Sequence, residues 1–355
     1  NGRAVGPVVK PGQIGLPVTE GARVWVFSLC SCDPPRESVK LTSSYQNWEN
    51  MLHCPIDKIH CADTLCAVYG GPSLEDALRW NCSFSPAQNH PHLLLQKQEV
   101  SRLREQVQNW PWLCETLSAH KDDPNGFDPA GVYLLTGCET YAETAKNEIA
   151  GWLRTRIRLI TSFGYSLHEL VCIRLSRPIR LVALDFDLIA DSPAVSLHQK
   201  TEILRQFAFL AHCIADPDYW PPNSTGFSKG NRNFHSDHFS ALGTLACLLK
   251  DHPDAGTWTA YAEGELDREL DFAVYPGGAW IEAPNYQAYS MNYLILLFTA
   301  FKNSGLRDFT ADPRFCYAMD FLAAIQTPLD IRCNIHMLPT IGDTAANYWT
   351  QSFQN

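Results

Sequence analysis

Apolar residues recur at three- and four-residue spacing along most of the chain after residue 91, with charged residues between them. This period is typical of helices that bury one face, and strand-like patterns are scarce apart from Arg180–Phe186. Connections containing Gly or Pro separate the periodic segments. The pattern predicts helices at Leu93–Leu117, Tyr141–Ser162, Ser196–Ala215, His235–Lys250, Thr257–Phe272, Tyr286–Asn303 and Pro313–Gln326.

Two regions of different character follow from this pattern. Residues 1–90 are rich in Pro, Gly and Cys and show no sustained helical period, only short β-prone runs such as Val24–Phe27. We therefore predict an irregular or β-containing N-terminal segment over residues 1–90. Residues 91–355 are predicted to form one mainly α domain, either an α/α toroid or an array of paired helices.

Composition narrows the possible functions. The chain has 355 residues, of which 45% are apolar, so a sizeable core can form. A net charge of −10 argues against a nucleic-acid partner, and an acidic substrate would need a local cluster of binding groups. Since no apolar run approaches the roughly 20 residues that span a bilayer, we expect no membrane partner.

The 13 cysteines do not predict a metal site. The densest group is Cys30, Cys32, Cys54, Cys61 and Cys66, whose spacing matches no common zinc site, so disulfides or free thiols are favoured. The pair His235 and His238 is one residue too short for an HxxEH zinc motif. We expect no metal and no cofactor. Buried positions in helices are predicted for Cys138, Cys172, Cys213, Cys247 and Cys316.

Three polar segments are candidates for chemistry. The first is Gly230–His238, where Asn231, Arg232, Asn233, His235 and His238 lead from a loop into a helix. The density of hydrogen-bonding side chains favours a functional role, although loops are polar in any case and Asn is a common helix cap.

The second segment, Trp280–Ser290, follows a Gly-Gly turn, and Pro284 is suited to start a helix. Tyr286 and Tyr289 are three residues apart and would share one helical face, either as functional groups or as core residues. Glu282 lies just before that helix. The third segment, Asn334–Asp343, contains His336, which is equally well explained as a core histidine.

The order of these motifs resembles that of the heparinase II/III-like superfamily of polysaccharide lyases, which includes alginate and heparin or heparan lyases. The similar run extends from about Pro91 to Asn355. The motifs that carry the resemblance are His90-Pro-His-Leu-Leu, Tyr133-Leu-Leu-Thr-Gly137 with Tyr141-Ala-Glu-Thr-Ala-Lys146, Gly230-Asn-Arg-Asn-Phe-His235 and Glu282-Ala-Pro-Asn-Tyr286.

The resemblance implies an incomplete α/α toroid followed by a β-sandwich domain. We expect the β-sandwich to be absent from this chain, which we interpret as a fragment or processed chain because it starts at Asn1 and ends abruptly. The implied activity is cleavage of an acidic, uronate-containing polysaccharide or oligosaccharide by β-elimination. A secreted or periplasmic location is expected.

The resemblance also implies roles for individual residues. Asn233 would neutralise the uronate carboxylate, His235 would act as base and Tyr286 as acid. Tyr289 is the alternative to Tyr286, and His238 the alternative to His235. Substrate binding is expected from Arg232, His238, Glu282, Tyr289 and Trp280.

The sequence departs from the family pattern at two points. Phe234 separates Asn233 from His235, whereas several family members have the Asn and His adjacent, and on a helix this changes their facing. Asn231 is therefore a rival to Asn233. A further histidine comes from the β domain in relatives, and His336 is a poor substitute because it precedes that domain.

Two other classes of protein stay open. An inverting glycoside hydrolase on an α/α toroid would need two carboxylates about 6.5–9.5 Å apart, and Glu282 with Asp237 would be the pair. A non-catalytic glycan-binding protein would bind sugar in a groove lined by Tyr219, Trp220, Trp258 and Trp280.

Overall fold

The computed structural model of the chain consists almost entirely of helices. It describes residues 72, 74–82, 90–119, 128–162, 174–215, 232–329, 331, 336–339, 341 and 342. Within these ranges no β-strand forms, and an isolated bridge joins Val274 to Trp280. The helices are α1 (Leu74–Leu78), α2 (Lys97–Gln108), α3 (Pro111–Ala119), α4 (Pro129–Thr136), α5 (Glu139–Ser162), α6 (Ser176–Ile189), α7 (Leu197–Ala215), α8 (Arg232–Leu248), α9 (Ala255–Ala273), α10 (Pro284–Asn303), a 3₁₀ turn (Phe309–Ala311) and α11 (Pro313–Ala324).

The mainly α fold predicted from the sequence is confirmed. Helices that follow one another pack together, as α4 does with α5 and α8 with α9, which gives the toroid-like arrangement of paired helices. The predicted helix Leu93–Leu117 is divided, because Pro111 lacks the N–H needed to continue α2 and instead begins α3. The Ser196–Gln199 capping box is present: the Gln199 backbone N–H donates to Ser196 Oγ (3.3 Å) and the Ser196 backbone N–H to Gln199 Oε1 (3.0 Å).

The predicted strand Arg180–Phe186 is wrong, since these residues lie within α6. Ile179, Ala183 and Phe186 are completely buried and recur at helical spacing along one face. The charged residue Arg180 is buried as well. The segment resembled a strand because buried charged residues interrupt the helical spacing of its apolar residues.

Helix α8 is the centre of the described fold. It packs against α6, α7, α9 and α10, and its residues from His235 to Leu248 are all buried. Gly243 lets α10 approach closely, since a Cβ at this position would lie 2.7 Å from Leu297 Cδ1 and 3.0 Å from Phe301 Cζ. Because α8 contacts four helices, side chains on its first turns meet residues from several elements.

Two of the buried-cysteine predictions are confirmed and two are wrong. Cys213 and Cys247 are buried. Cys138 is exposed because it lies in the short link between α4 and α5, and Cys316 is exposed on α11. Cys172, together with the cysteines of residues 1–70, lies outside the described residues. In the part of the chain that the structure describes, no helix has the length and apolar character needed to cross a membrane.

The buried carboxylate of Asp187 on α6 accepts hydrogen bonds from the segment that precedes α2. His90 Nδ1 lies 2.6 Å from Asp187 Oδ1, and the backbone N–H groups of His92 and Leu93 donate to Oδ2 at 3.0 and 2.9 Å. Burial opposes the ionisation of Asp187, but the hydrogen bonds from His90 and His92 lower its pKa below the ordinary range. The Asp187 charge therefore stabilises the fold at neutral pH.

Asp187→Asn should lower the free energy of unfolding by about 2–3 kcal/mol, because an amide NH₂ would face backbone donors in place of a charged acceptor. Urea denaturation at neutral pH measures this change. The matched control is Asp320→Asn on the exposed face of α11, which should stay within about 0.5 kcal/mol of the parent protein. Equal stabilities of the two variants would contradict the anchoring role.

Candidate active site

The first two polar segments identified in the sequence meet at the start of α8. Glu282, in the segment before α10, accepts a hydrogen bond from the Asn233 backbone N–H (3.0 Å) and another from Asn233 Nδ2 (2.9 Å). Asn233 is buried, with 2% of its surface exposed. Nδ2 has two hydrogens, so one is held by Glu282 and the other can serve a second acceptor.

The segment that carries Glu282 is itself fixed by buried contacts. Trp280 Nε1 donates to Glu282 Oε2 at 3.2 Å, and the Trp280 backbone N–H donates to Gln287 Oε1 at 3.2 Å. Gln287 Nε2 donates to the carbonyls of Gly278 and Ala318. Gly278 has φ +89°, and a Cβ there would clash with the Tyr317 carbonyl, so this turn requires glycine. Glu282 is thereby presented to Asn233 on a rigid support.

His235 faces a different neighbour from Asn233. Its Nε2 lies 3.7 Å from Glu265 Oε2 on α9, and its ring packs on Phe239 at 4.5 Å between centroids. Glu265 is buried, and burial raises its pKa although Arg268 opposes this shift. The expectation that Phe234 changes the facing of the two residues is confirmed, because Asn233 contacts the start of α10 while His235 contacts α9.

One turn further along α8, a polar seam runs into the core. We define it as Asp237 of α8, Arg177 and Arg180 of α6, and Tyr289 and Tyr293 of α10. Arg177 Nε and Nη2 donate to Asp237 Oδ2 at 3.0 and 2.7 Å, and the Arg177 guanidinium lies 4.5 Å from the centre of the Tyr289 ring. Asp237 is completely buried, and burial raises its pKa to about 6 against the pull of Arg177 and Arg180.

Within the seam, the side chain of Arg180 is fully buried from solvent. Its guanidinium lies 3.5 Å from the centre of the Tyr293 ring, and its Nη1 donates to Ser240 Oγ at 3.2 Å. Burial raises the pKa of Tyr289, so this phenol stays protonated at neutral pH. The side chain of Arg177 is 29% exposed, whereas those of Arg180 and Asp237 are fully buried, so Arg177 is the cation of the seam that solvent reaches.

His238 is held in the core between α6 and α7. Its Nε2 lies 2.9 Å from the Ile214 carbonyl and its Nδ1 3.4 Å from Ser176 Oγ. Burial lowers the pKa of His238 to about 3, so the ring is neutral at neutral pH. A ring that resists protonation is poorly suited to accept a proton, which weakens His238 as the alternative base.

The buried state of His238 predicts acid sensitivity of the fold. An unfolded histidine takes up a proton near pH 6.5, whereas folded His238 does so only near pH 3. Stability should therefore fall as the pH drops from 6.5 towards 3, with this residue contributing at most about 1.4 kcal/mol per pH unit.

Urea denaturation at a series of pH values measures this slope. His238→Gln should show a flatter slope, whereas His198→Gln, which changes an exposed histidine of α7, should keep the parent slope. Equal slopes for the parent and His238→Gln would contradict the assignment.

The remaining predicted residues have varied positions. Tyr286 is half-buried in the first turn of α10, and Trp280 is buried with 4% exposed. Arg232 is the first residue of α8, and its side chain lies outside what the structure describes, as do Asn231 and Asp343. His336 is exposed, with Nδ1 2.7 Å from the Thr327 carbonyl. Gly342 lies beside Ala283, so the third segment passes near the start of α10.

The aromatic groove expected for a glycan-binding protein is not supported. Trp258 is buried in the core with 3% of its surface exposed, and Trp280 is also buried, so neither offers a ring face to a sugar. Tyr219 and Trp220 lie outside the described residues.

Sequence reasoning missed several groups around the site. Arg177 was within a stretch without a recognised motif, and Glu265, Ser236 and Glu269 belonged to apparently ordinary helices. Ser236 Oγ donates to Glu269 Oε1 at 2.7 Å inside the α8–α9 interface. Polar residues at helical spacing in otherwise apolar segments were the available signal, since buried charges need partners.

Chemically, the start of α8 carries the oriented amide of Asn233 and, facing α9, the His235 imidazole beside a carboxylate. The neighbouring helix α10 carries the Tyr286 phenol in its first turn. An amide N–H stabilises negative charge that develops on an oxygen, an imidazole exchanges protons near neutral pH, and a phenol donates one. These are the groups needed for proton abstraction next to a carboxylate.

Comparison with known proteins finds a similarity to solved structures. No protein-family description and no curated protein matches the chain. Two solved structures of a heparinase III, one with methylated lysines, align with 72% of this chain at 16% identity and a TM-score of 0.42. The chain is similar to these two structures. It covers 45% of the length of those structures, less than half.

Proposed function

We propose that this protein is a polysaccharide lyase that cleaves a uronate-containing acidic polysaccharide or oligosaccharide by β-elimination. The observation that carries the proposal is the double hydrogen bond between Asn233 and Glu282. It joins the Asn–His segment of α8 to the segment that leads into Tyr286. This contact supports the proposal that the two motifs, which suggested lyase chemistry separately, belong to one site.

The reaction requires help at three points. A base removes the proton on carbon 5 of the uronate, the C4–O4 bond breaks, a C4=C5 double bond forms, and the leaving O4 oxygen takes a proton. Removing the first proton places a second negative charge beside the carboxylate. An oriented hydrogen-bond donor is the usual means of stabilising such charge.

Asn233 is the proposed donor to the uronate carboxylate. Glu282 fixes the amide through one Nδ2 hydrogen and the backbone N–H, and the second Nδ2 hydrogen is assigned to the substrate. Glu282 also accepts from Trp280, so three donors offset its charge and its role is to position Asn233. Arg177 and Arg232 supply positive charge for an acidic substrate in this proposal.

Tyr286 is the proposed acid, with Tyr289 as the alternative. Tyr286 is half-buried on the first turn of α10, four residues after Glu282. Tyr289 is buried and packed under Arg177, which leaves its hydroxyl less accessible to a glycosidic oxygen. Tyr286 is therefore preferred.

His235 is the proposed base. The Glu265 carboxylate 3.7 Å from Nε2 would stabilise the imidazolium that forms when the ring accepts a proton. His238 is disfavoured because its two ring nitrogens contact Ile214 and Ser176 and burial keeps it neutral. Glu282 and Trp280 then act on the substrate indirectly, through Asn233, and Tyr289 through Arg177. His238 contacts Ile214 and Ser176 in the core, so no substrate contact is proposed for it.

The hydrolase alternative has less support. Asp237 is completely buried and held by two hydrogen bonds from Arg177, and Glu282 accepts hydrogen bonds from Asn233 and Trp280. A carboxylate enclosed by an ion pair is badly placed to activate a water on the open face of a sugar ring.

Absorbance and reducing ends, followed together, test the proposal. The polymers are alginate, heparan sulfate, chondroitin sulfate, hyaluronan and ulvan. A lyase forms a conjugated double bond, so ultraviolet absorbance should rise with at least one of them. Reducing ends without absorbance would replace the lyase with the hydrolase. Binding in affinity electrophoresis with neither product would favour the glycan-binding protein. Secretion or a periplasmic location belongs to the same proposal.

A further inference from the structure

A second cluster of titratable side chains lies away from Asn233 and Glu282. It consists of His212 near the end of α7 with His252 and Asp254 from the turn between α8 and α9. His212 Nε2 is 3.7 Å from Asp254 Oδ2, and His252 Nδ1 is 3.8 Å from the same oxygen. One atom from each of the three residues lies within 4.8 Å of the other two.

These distances are close to those of a metal site. In a tetrahedral site with bonds of about 2.0–2.1 Å, neighbouring ligand atoms are roughly 3.3 Å apart. The two distances to Asp254 therefore exceed the required separation by about half an ångström. The two imidazole nitrogens lie within 4.8 Å of each other and would also have to approach. Rotation of the half-exposed Asp254 side chain and of the two rings is the adjustment that binding would require.

The two imidazole rings are held by aromatic packing. His252 stacks on Trp258 at 4.6 Å between centroids and at 21°, and Trp80 meets it edge-on at 4.6 Å. His212 packs edge-on against the same Trp258 at 4.9 Å. Burial lowers the pKa of both rings, so both offer a neutral nitrogen at neutral pH.

The ring nitrogen of His252 that faces the cluster is Nδ1, and this nitrogen has a lone pair and no hydrogen. The Asp254 backbone N–H donates to His252 Nδ1 at 3.1 Å, so Nδ1 is the unprotonated nitrogen of the ring. A metal ion would take this lone pair in place of the N–H. The Asp254 side chain is 51% exposed, which gives an ion access and leaves room for a water ligand.

We propose that His212, His252 and Asp254 bind a divalent transition metal of the zinc class, completed by water. Two imidazoles and one carboxylate suit such ions, whereas Mg²⁺ and Ca²⁺ prefer oxygen ligands. The ion joins the end of α7 to the α8–α9 turn. The role of the ion is structural, because it connects the two elements on either side of α8. The cysteine spacing did not predict this metal site, since none of its ligands is a cysteine.

A second triad, His90, His92 and Asp187, is a poorer metal site. Both Asp187 oxygens already accept hydrogen bonds, from the His90 ring and from the backbone N–H groups of His92 and Leu93. All three residues are buried, so an ion would lack a water ligand and an entry path. The exposed carboxylate of Asp254 distinguishes the first cluster.

Cobalt titration of the full chain after treatment with a chelator tests the proposal. Co²⁺ is the probe because it has visible absorption bands that Zn²⁺ lacks. One equivalent should bind with bands typical of nitrogen and oxygen ligands, and Zn²⁺ should displace it. His212→Gln and Asp254→Asn should weaken binding at least about tenfold, since even outer-shell partners cost 10–100-fold.

His198→Gln is the matched control, because it removes an exposed histidine from the same helix α7 and should leave cobalt binding unchanged. Circular dichroism verifies that each variant is folded. Asp254→Asn changes a half-exposed side chain, so this variant still tests the proposal if His212→Gln unfolds. Zn²⁺ should raise the thermal midpoint of the parent protein and not that of Asp254→Asn. Absence of stoichiometric binding, a thiolate charge-transfer band, or an affinity in both cluster variants equal to that of the parent protein would overturn the proposal.

Discussion

Tyr286→Phe should lower the rate of elimination by roughly 10²–10⁴-fold, because the leaving oxygen loses its proton donor. Phenylalanine retains the ring, so the packing at the start of α10 is preserved. Affinity for an uncleaved oligosaccharide should change little, since the hydroxyl acts mainly in the transition state. Initial rates of ultraviolet absorbance together with binding by calorimetry separate the two effects.

Tyr317→Phe provides the matched control for this experiment. Tyr317 lies on α11 with 59% of its surface exposed, and loss of its hydroxyl should leave elimination unchanged. Tyr289→Phe tests the alternative assignment. If Tyr286→Phe retains the full rate and Tyr289→Phe does not, the acid is Tyr289 and the assignment of Tyr286 is wrong.

Asn233→Ala should lower the rate by roughly 10²–10³-fold, which corresponds to about 3–4 kcal/mol of transition-state stabilisation. The variant removes the amide that Glu282 orients, so charge at the uronate carboxylate is no longer stabilised. It also leaves Glu282 with one donor fewer, so a moderate loss of stability is expected as well. Rates must therefore be measured at a temperature where the variant is fully folded.

Asn303→Ala controls for loss of a structural amide. Asn303 Nδ2 donates to the Leu93 carbonyl at 2.8 Å at the far end of α10. This variant should lose stability to a similar degree while its rate of elimination per folded molecule stays normal. An equal loss of rate in both variants would show that Asn233 acts through the fold and not on the substrate.

The helices could be predicted because their apolar residues recur at 3.6-residue spacing and because their ends carry local signals. Pro284 at the start of α10 and the Ser196–Gln199 capping box are such signals, and both lie where expected. Interactions within a few residues determine them. No distant part of the chain is needed to recognise them.

The features that were predicted wrongly or missed depend on tertiary contacts. The segment Arg180–Phe186 was predicted to be a strand but lies within α6. Arg180 and the adjacent Asp187 are both buried, with partners on other helices or preceding segments. Arg177 could not be recognised as part of the site, because only the fold brings it to Asp237, 60 positions away. No local pattern contains such a pairing.

The candidate site lay between these cases. Each of its two segments was recognisable by the density of polar and aromatic residues, but the hydrogen bonds from Asn233 to Glu282 span 49 positions. The divergence of Asn233 and His235 followed from their spacing on a helix. The neighbours that the two side chains face could not be predicted from this spacing, because they depend on how α9 and α10 pack around α8.

The most direct test of the central claim is cleavage in water labelled with heavy oxygen, followed by mass spectrometry of the products. Elimination breaks the C4–O4 bond without adding water. If the products of a short reaction are reduced with borohydride before the anomeric oxygen exchanges with solvent, no label should be found at the break and each new non-reducing end should be unsaturated. Hydrolysis adds one labelled oxygen for every bond cut. Unlabelled, unsaturated products would confirm the lyase. Labelled, saturated products would contradict it.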